Sequence, residues 1–272
     1  MKAQVFQRGS ATLRPRARIV RTIGRDLISN EVVALVELIK NSYDADANKV
    51  CIIFEEPLKP SQGSITIEDD GVGMPLSVIQ EAWFEPATIS KEKAQRTPTG
   101  RRVTGEKGIG RFAAARVAQA MEVESIAKGS RRLVRVRFDW GAFDDPSLYL
   151  DEVKCRWEES SAPRGRKHGT VLHLIKLNDQ WDSEQFRKLR GELSRLISPN
   201  RAKNNFNIIL ELPDRYKDYA GTITPPPILG KPHYLLKGEI VANGELQADY
   251  QGPDTDAPEQ VTGTIRLRGR SP

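Results

Sequence analysis

The chain has 272 residues, of which 38% are hydrophobic and 29% are charged. This composition is ordinary for a globular protein with a sizeable core, and it excludes collagen-like, coiled-coil and wholly disordered chains. The net charge of +6 permits an anionic partner without requiring one. No apolar run reaches the ~18 residues of a membrane span, and the first residues lack the apolar segment of a signal peptide. We therefore expect a cytoplasmic protein that does not enter a membrane.

The numbers of cysteines, histidines and glycines indicate which kinds of functional site the chain can contain. Two cysteines and three scattered histidines are too few for a disulfide framework or a Cys/His zinc centre. The 21 glycines are unevenly spread and cluster between positions 100 and 110. This cluster is the first place to search for a ligand-binding segment.

The first predicted element covers residues 13–28. Arg14, Arg18, Arg21 and Arg25 follow one another at spacings of four, three and four, which predicts one face of a helix. That face could be a basic binding stripe or simply a solvated surface. The apolar residues on the opposite side favour the solvated surface.

The next predicted helix, NEVVALVELIKNSYDADA, is capped by Ser29 or Asn30 and is apolar almost all round. Its polar residues Glu37, Asn41 and Asp44 fall on one stripe of the helix. Buried polar side chains need partners, so this stripe indicates a cleft, an ion or a hydrogen-bonded network. A helix edge that reaches solvent would explain the stripe equally well.

Two strands follow, KVCIIFEE and SITIEDD, and the second runs into the sequence IEDDGVGMP. Asp69 ends that strand, and Gly71 and Gly73 permit positive φ or a close approach of backbone to a ligand. An ordinary Asp-Gly turn is the alternative. The short helix PLSVIQEAWF comes next, with a proline in its first turn.

Residues 85–107 are polar, lack periodicity and are typical of a lid or a disordered segment. The sequence TGEKGIGRFAAA then leads into a helix, and glycines before a helix N-terminus favour a phosphate site. A P-loop is excluded because Glu106 stands where that motif requires lysine. A dinucleotide fingerprint is disfavoured because no strand precedes the glycines.

The remaining chain reads as four strands, an amphipathic helix and a further strand, with alternation that indicates a sheet covered on one face. Prolines 225–227 mark a domain boundary. We expect one domain over residues 1–220, with an N-terminal arm and the lid at 85–107. We expect residues 225–272 to begin a second, mostly β domain that the chain interrupts, because so short a segment supports only a small core.

The ordered motifs ELIKNSYDADA, DDGVGM, GEKGIGRFAA and HGTVLHL, with the polar lid between the second and third, resemble the GHKL ATPases. That family includes gyrase B, the ninety-kilodalton heat-shock chaperones, sensor histidine kinases and MutL. The resemblance covers roughly residues 25–212, and the Asn-Ser-x-Asp-Ala form is nearest the MutL, MORC and chaperone branches. It implies an α+β fold, a Bergerat-type two-layer α/β sandwich with a mixed, largely antiparallel sheet.

The resemblance also implies roles for individual residues. Glu37 would be the general base that activates water, Asn41 would bind Mg²⁺, and Asp44 would support the site. Asp69 would accept a hydrogen bond from the exocyclic amine of adenine, which favours ATP over GTP. Thr170 would complete the adenine contact through water.

Other motif residues would surround the nucleotide. Next to the base we expect Gly71, Gly73 and Met74. Around the phosphates we expect the backbone N–H groups of Gly105, Lys107, Gly108, Ile109 and Gly110. The lid residues with a looser match to the family are Thr88, Ser90 and Lys91.

By this resemblance the chain binds Mg²⁺-ATP and hydrolyses it slowly, and ATP closes the lid and promotes homodimerisation. A DNA or protein client would bind through domains that the chain lacks. One alternative is a nucleic-acid-binding module that uses the basic N-terminal helix. The other is histidine-kinase-type phosphotransfer, which the Asn-Ser-x-Asp-Ala form disfavours.

Overall fold

The computed structural model describes most of the chain and divides it into two compact units, residues 1–224 and 225–272. The described residues are 10, 12–26, 28–85, 96–104, 110–197, 206–226, 234–240, 245–252 and 259–264. Each unit has a β-sheet of its own.

The first unit is built on an eight-stranded sheet with the strand order β5-β4-β3-β6-β2-β1-β7-β8. Its strands are β1 (Lys49–Glu55), β2 (Ser64–Asp69), β3 (Ala118–Ile126), β4 (Arg132–Asp139), β5 (Arg156–Ser161), β6 (Gly169–Leu177), β7 (Asn207–Glu211) and β8 (Gly221–Thr222). Only β1 and β7 pair in parallel, and the other neighbours are antiparallel. The sheet is therefore mixed and largely antiparallel, as the sequence motifs predict.

The α-helices among the described residues of this unit are α1 (Ile19–Arg21), α2 (Glu31–Asp44), α3 (Leu76–Trp83), α4 (Ala114–Val117) and α5 (Ser183–Leu196). The predicted cap of α2 is confirmed, because Asn30 Oδ1 accepts a hydrogen bond from Val33 N at 2.9 Å. Asp182 caps α5 by accepting hydrogen bonds from the backbone N–H groups of Glu184 and Gln185. Both long helices thus begin at residues that satisfy their free N–H groups.

One hydrophobic core joins the helices to the sheet. It contains Leu35 and Ile39 of α2, Ile67 of β2, Met121 of β3 and Leu174 of β6, each no more than 1% exposed. Alternate residues of the strands point away from this core, and there Glu122 and Glu124 form ion pairs with Arg135. This arrangement is an α+β sandwich of two layers, so the predicted fold class is confirmed.

The helix predicted over residues 13–28 is wrong in its first half. Only Ile19–Arg21 is α-helical, and it continues as a π-helical turn at Thr22–Asp26. Arg16 instead forms a β-bridge with Tyr149, and the guanidinium group of Arg14 lies 3.8 Å from the centroid of the same ring. Pro15 explains the difference, since it supplies no N–H and disfavours helical backbone in the residue before it. The predicted basic helix face therefore lacks Arg14.

The second unit contains β9 (Leu235–Ile240), β10 (Glu245–Gln251) and β11 (Glu259–Thr264), paired antiparallel in the order β11-β10-β9. β9 and β10 pair antiparallel, and residues 241–244 between them lie outside the described residues. Among the helices of the described residues, none combines the length and the apolar character needed to cross a membrane.

Candidate functional site

The polar stripe of α2 lies at the edge of the helix layer and makes specific bonds. Glu37 is half-buried, and its Oε1 accepts a hydrogen bond from Lys40 Nζ at 2.6 Å. One turn further on, Asp44 Oδ1 accepts from the backbone N and the Oγ1 of Thr104, at 2.8 and 2.9 Å. The stripe therefore reaches solvent at Glu37 and holds a second chain segment at Asp44.

Gly110 brings the end of the glycine-rich motif against this stripe. A Cβ atom added at Gly110 would lie 3.6 Å from Asn41 Nδ2 and 4.0 Å from the carbonyl oxygen of Glu37. Seven predicted site residues lie outside the described part of the chain: Thr88, Ser90, Lys91, Gly105, Lys107, Gly108 and Ile109. The position of Gly110 still shows that the glycine-rich motif lies beside the polar stripe of α2. The spacing of these two motifs in the sequence does not show it.

Asp69 is the point at which three elements meet. Its Oδ2 accepts a hydrogen bond from Ser42 Oγ of α2 at 2.9 Å. Its Oδ1 accepts from Gly71 N at 3.0 Å and from Thr170 N of β6 at 3.2 Å. The predicted residues Asp69, Gly71 and Thr170 therefore form one cluster, which also includes Ser42.

Burial of the Asp69 carboxyl raises its pKa above the ordinary aspartate value. Hydrogen bonds from Gly71, Ser42 and Thr170 act in the opposite direction, while the neighbouring Asp70 charge adds to the increase. The ionised carboxylate is thus poorly solvated despite three donors. Such a group gains from a further donor supplied by a ligand.

The turn that follows Asp69 requires its glycines. Gly73 has φ +61°, and a Cβ atom there would lie 2.0 Å from the carbonyl oxygen of Ile126. Gly169 has φ +139°, and its Cβ would lie 2.0 Å from the carbonyl oxygen of Asp69. Backbone hydrogen bonds hold the turn on both sides, from Val72 N to Ala45 O and from Lys128 N to Val72 O. This turn is therefore fixed between α2 and the β3–β4 connection.

Met74 leaves the turn and is held by two contacts. Its backbone N donates to Ser125 Oγ at 2.8 Å, and its Sδ accepts from Trp83 Nε1 at 3.1 Å. Ser125 Oγ also lies 3.0 Å from Thr170 Oγ1. The predicted residues Met74 and Thr170 are thus linked through a serine that the motifs did not include.

Sequence reasoning missed Ser42 and Ser125, although each left a signal. Ser125 has the same strand parity as Met121 and Val123, so it is a polar residue on the buried face of β3. Ser42 follows Asn41 directly on a helix that is apolar almost all round. Polar residues on buried faces are the positions at which hydrogen-bond partners should be sought.

The end of the predicted lid is a hairpin bound to the C-terminus of α2. Arg96 and Arg102 form an antiparallel bridge, and Gly100 N donates to Thr97 O at 2.8 Å. Asp46 accepts hydrogen bonds from the hydroxyls of Thr97 and Thr99. We call these contacts, together with Arg101, the Asp46 clasp.

Arg101 completes the clasp from the other side. Its Nη1 donates to the carbonyl oxygen of Ala47 at 2.6 Å, and its guanidinium carbon lies 5.0 Å from the centroid of the Tyr43 ring. Through this residue and Asp46, the segment 96–104 is tied to the last turn of α2. One end of the predicted lid therefore has a defined anchor.

A cleft of about 360 Å³ opens between the clasp and the Gly71 turn. Its lining residues are Asp46, Asn48, Asp70, Gly71, Val72, Pro98, Thr99, Arg101, Lys128 and His168. Gly71 is the only predicted site residue among them, so the cleft adjoins the Asp69 cluster but is distinct from it.

Gly73→Ala should destabilise the protein more than Gly129→Ala. Both positions have positive φ, but an added Cβ at Gly129 meets no atom within 4 Å. We expect a cost of about 1–2 kcal/mol at Gly129 from the backbone alone. At Gly73 the overlap with Ile126 should add about 1–3 kcal/mol. Equal free energies of unfolding in urea for the two variants would show that the close approach is unimportant.

Asp46→Asn should weaken the clasp in a pH-dependent way. Burial alone would raise the pKa of Asp46, but hydrogen bonds from Thr97 and Thr99 and the Arg101 charge outweigh it and lower the pKa. A lowered folded-state pKa gives stability that is present above the ordinary aspartate pKa and lost as pH falls through the lowered value. We expect a cost of about 2 kcal/mol at pH ~7, shrinking towards pH ~3.

Urea unfolding of both proteins at the two pH values measures this difference. Asp218→Asn, which changes an exposed carboxylate, is the control and should alter stability little at either pH. A cost for Asp46→Asn that stays constant between the two pH values would contradict the ionised clasp.

The chain is similar to known proteins. Residues 28–170, a little more than half of the chain, match the family described as "Histidine kinase-, DNA gyrase B-, and HSP90-like ATPase". The chain is also 26% identical over 210 residues to a putative type II restriction enzyme, HgiDII, from Herpetosiphon aurantiacus.

That alignment covers 74% of this chain and 32% of the relative, so the chain spans about a third of that protein's length. The family match contains α2, the Asp69 turn and the described end of the glycine-rich motif, and it ends at Thr170. It therefore includes every described residue of the predicted site. The chain belongs to the family of histidine kinase-, DNA gyrase B- and HSP90-like ATPases.

Proposed function

We propose that this chain binds Mg²⁺-ATP beside α2 and hydrolyses it slowly. The observation that supports this most directly is the Asp69 carboxylate, held by donors from α2, the Gly71 turn and β6. Membership of the ATPase family supports ATP binding in general. The assignments below rest on the geometry of the individual residues.

Asp69 would recognise the adenine base through a hydrogen bond. Each carboxylate oxygen accepts about two hydrogen bonds, so the N–H groups of Gly71 and Thr170 fill Oδ1. Ser42 occupies one position of Oδ2 and leaves the other for a ligand donor. The exocyclic amine of adenine supplies such a donor, whereas the carbonyl of guanine would face the carboxylate with an acceptor. We therefore assign Asp69 to selection of ATP over GTP, with Gly71, Gly73 and Met74 against the base.

The phosphates would lie at the glycine-rich segment, where backbone N–H groups before a helix suit anions. Gly105, Lys107, Gly108, Ile109 and Gly110 are the residues that we assign to them. Asn41 fits Mg²⁺ because its amide oxygen is a hard ligand and Gly110 lies beside it without a side chain. When bound, Mg²⁺ would neutralise phosphate charge.

Glu37 is the residue that we assign to activation of the attacking water. Lys40 engages Oε1 of this carboxylate, so Oε2 is the oxygen we assign to the water. Glu37 and Asn41 lie one turn apart on α2, which places a base beside the metal ligand. Asp44, a further turn along, would support the site by holding Thr104 just before the glycines.

The lid and the partners follow from the same site. We propose that nucleotide draws the lid over the phosphates through Thr88, Ser90 and Lys91, and that closure promotes a homodimer. The likeness to a putative restriction enzyme favours DNA over protein as the client of the larger assembly. The chain itself would supply the ATP cycle.

Direct nucleic-acid binding by the N-terminal arginines is less well supported. Arg14 and Arg16 both stack on Tyr149, and Arg21 pairs with Asp144 at 3.2 Å. These guanidinium groups are already engaged within the chain. We therefore place the nucleotide site ahead of a basic binding face.

Asp69→Asn should weaken nucleotide binding without loss of stability. Burial raises the pKa of Asp69, so its ionised form costs folding free energy at neutral pH, and that cost is relieved as pH falls through the raised value. A neutral amide removes the cost and can still accept from Gly71 and Thr170. Calorimetry with Mg²⁺-ATP should show affinity reduced roughly ten- to 100-fold, with an unchanged or higher melting temperature. Wild-type affinity in this variant would refute the assignment.

Glu37→Ala should leave ATP affinity unchanged and reduce phosphate release roughly 10²–10⁴-fold, the usual contribution of a general base. The matched control is Glu192→Ala. Glu192 also pairs with a cation three residues later on its helix, at 2.6 Å to Arg195, but it lies on α5 and is not one of the predicted site residues. The control should hydrolyse ATP normally. Undiminished turnover by Glu37→Ala would remove Glu37 from the mechanism.

A further inference from the structure

We propose that Ser125 is a positioning residue that fixes the hydroxyl proton of Thr170 and so makes the base pocket select an amino group at the purine 6-position. The inference rests on the proposed ATP site and adds a determinant of its base selectivity. No motif marks Ser125, and it would act only through Thr170.

Ser125 lies on β3 directly opposite Thr170 of β6, and the two residues are 1% and 8% exposed. Its Oγ makes three contacts: with Met74 N at 2.8 Å, with Thr170 Oγ1 at 3.0 Å and with the carbonyl oxygen of Gly169 at 3.2 Å. The hydroxyl is thus enclosed by protein groups.

The proton positions follow from what each group can do. A serine hydroxyl has one proton and two lone pairs. Met74 N can only donate, so it takes one lone pair, and the Gly169 carbonyl can only accept, so it takes the proton. The remaining lone pair must receive the proton of Thr170. This is the one arrangement that satisfies all three contacts, and it leaves Thr170 Oγ1 with only acceptor positions for a ligand.

Thr170 Oγ1 and the Asp69 carboxylate then both present hydrogen-bond acceptors to the base. The two residues are register partners on β6 and β2, and Thr170 N donates to Asp69 Oδ1 at 3.2 Å. A water that bridges both oxygens must give each a hydrogen, so it can only accept from the base. An amine with two N–H groups fits these acceptors, whereas a carbonyl at the same position meets acceptors on every side.

Removal of the Ser125 hydroxyl should free the Thr170 hydroxyl to rotate. It could then donate to a 6-carbonyl as readily as it accepts from an amine. A hydroxyl that rotates freely tolerates both bases, so selectivity should fall. A purely structural role for Ser125 would instead weaken both nucleotides by the same factor.

Calorimetry of the full chain with Mg²⁺-ATP and Mg²⁺-ITP tests this directly, because the inosine nucleotide carries a carbonyl where adenine has its amine. In wild-type protein the dissociation constant for Mg²⁺-ITP should exceed that for Mg²⁺-ATP. We expect the ratio of the ITP constant to the ATP constant to fall about three- to tenfold in Ser125→Ala, which is the range that one hydrogen bond contributes. Ser125→Thr keeps the hydroxyl and should retain the wild-type ratio. An unchanged ratio in Ser125→Ala would overturn the inference.

Thr170→Val supplies a double-mutant cycle. If Ser125 acts through Thr170, the ratio in Thr170→Val should fall, and adding Ser125→Ala should change it no further. Additive changes would overturn the inference. Should Ser125→Ala fail to fold, Ser125→Cys, which is nearly isosteric and only a weak hydrogen-bond donor, takes its place with the same expected fall.

Failure of the inference is distinguishable from failure of the proposed function. If wild-type protein binds ATP more tightly than ITP and Ser125→Ala keeps the same ratio, only the role of Ser125 is refuted. Folded wild-type protein that binds neither nucleotide refutes the ATP site itself, and the role of Ser125 with it.

Discussion

The Asp69 carboxylate is the interaction on which the rest of the site depends. A poorly solvated charge is costly, and here it is offset by donors from three separate elements, Ser42 on α2, Gly71 in the turn and Thr170 on β6. Loss of any donor would leave that cost partly uncompensated. The carboxylate thereby links α2 to the sheet through Ser42.

Helix α2 connects the proposed base-binding residue Asp69 to the candidate catalytic and lid contacts. Glu37 and Asn41 lie on its middle turns, Asp44 holds Thr104, and Asp46 just beyond the helix holds the hairpin of residues 96–104. A single helix therefore contacts Asp69 through Ser42, carries the proposed metal ligand Asn41, and ends beside the anchor of the predicted lid.

Much of this could be predicted from the sequence because the signals are local. The polar stripe of α2, the Asp-Gly turn and the glycine-rich motif each depend on spacing along a few turns of chain. The family and the mixed, largely antiparallel sheet are confirmed. The helix predicted over residues 13–28 fails in its first half because Pro15 interrupts the helical backbone that the arginine periodicity predicts, and the contact of Arg16 with Tyr149 lies more than a hundred residues away in sequence.

By itself, the amino-acid sequence determined most of the candidate site residues, since residue type and periodicity place carboxylates, amides and glycines on defined faces. Only the tertiary structure decided which of them meet. Ser42 with Asp69, Ser125 with Thr170 and Asp46 with Thr97 are pairs separated by 27, 45 and 51 residues. Strand register and helix packing bring these pairs together, and both arise from burial of the whole core, so no local pattern specifies the partner of a given polar side chain.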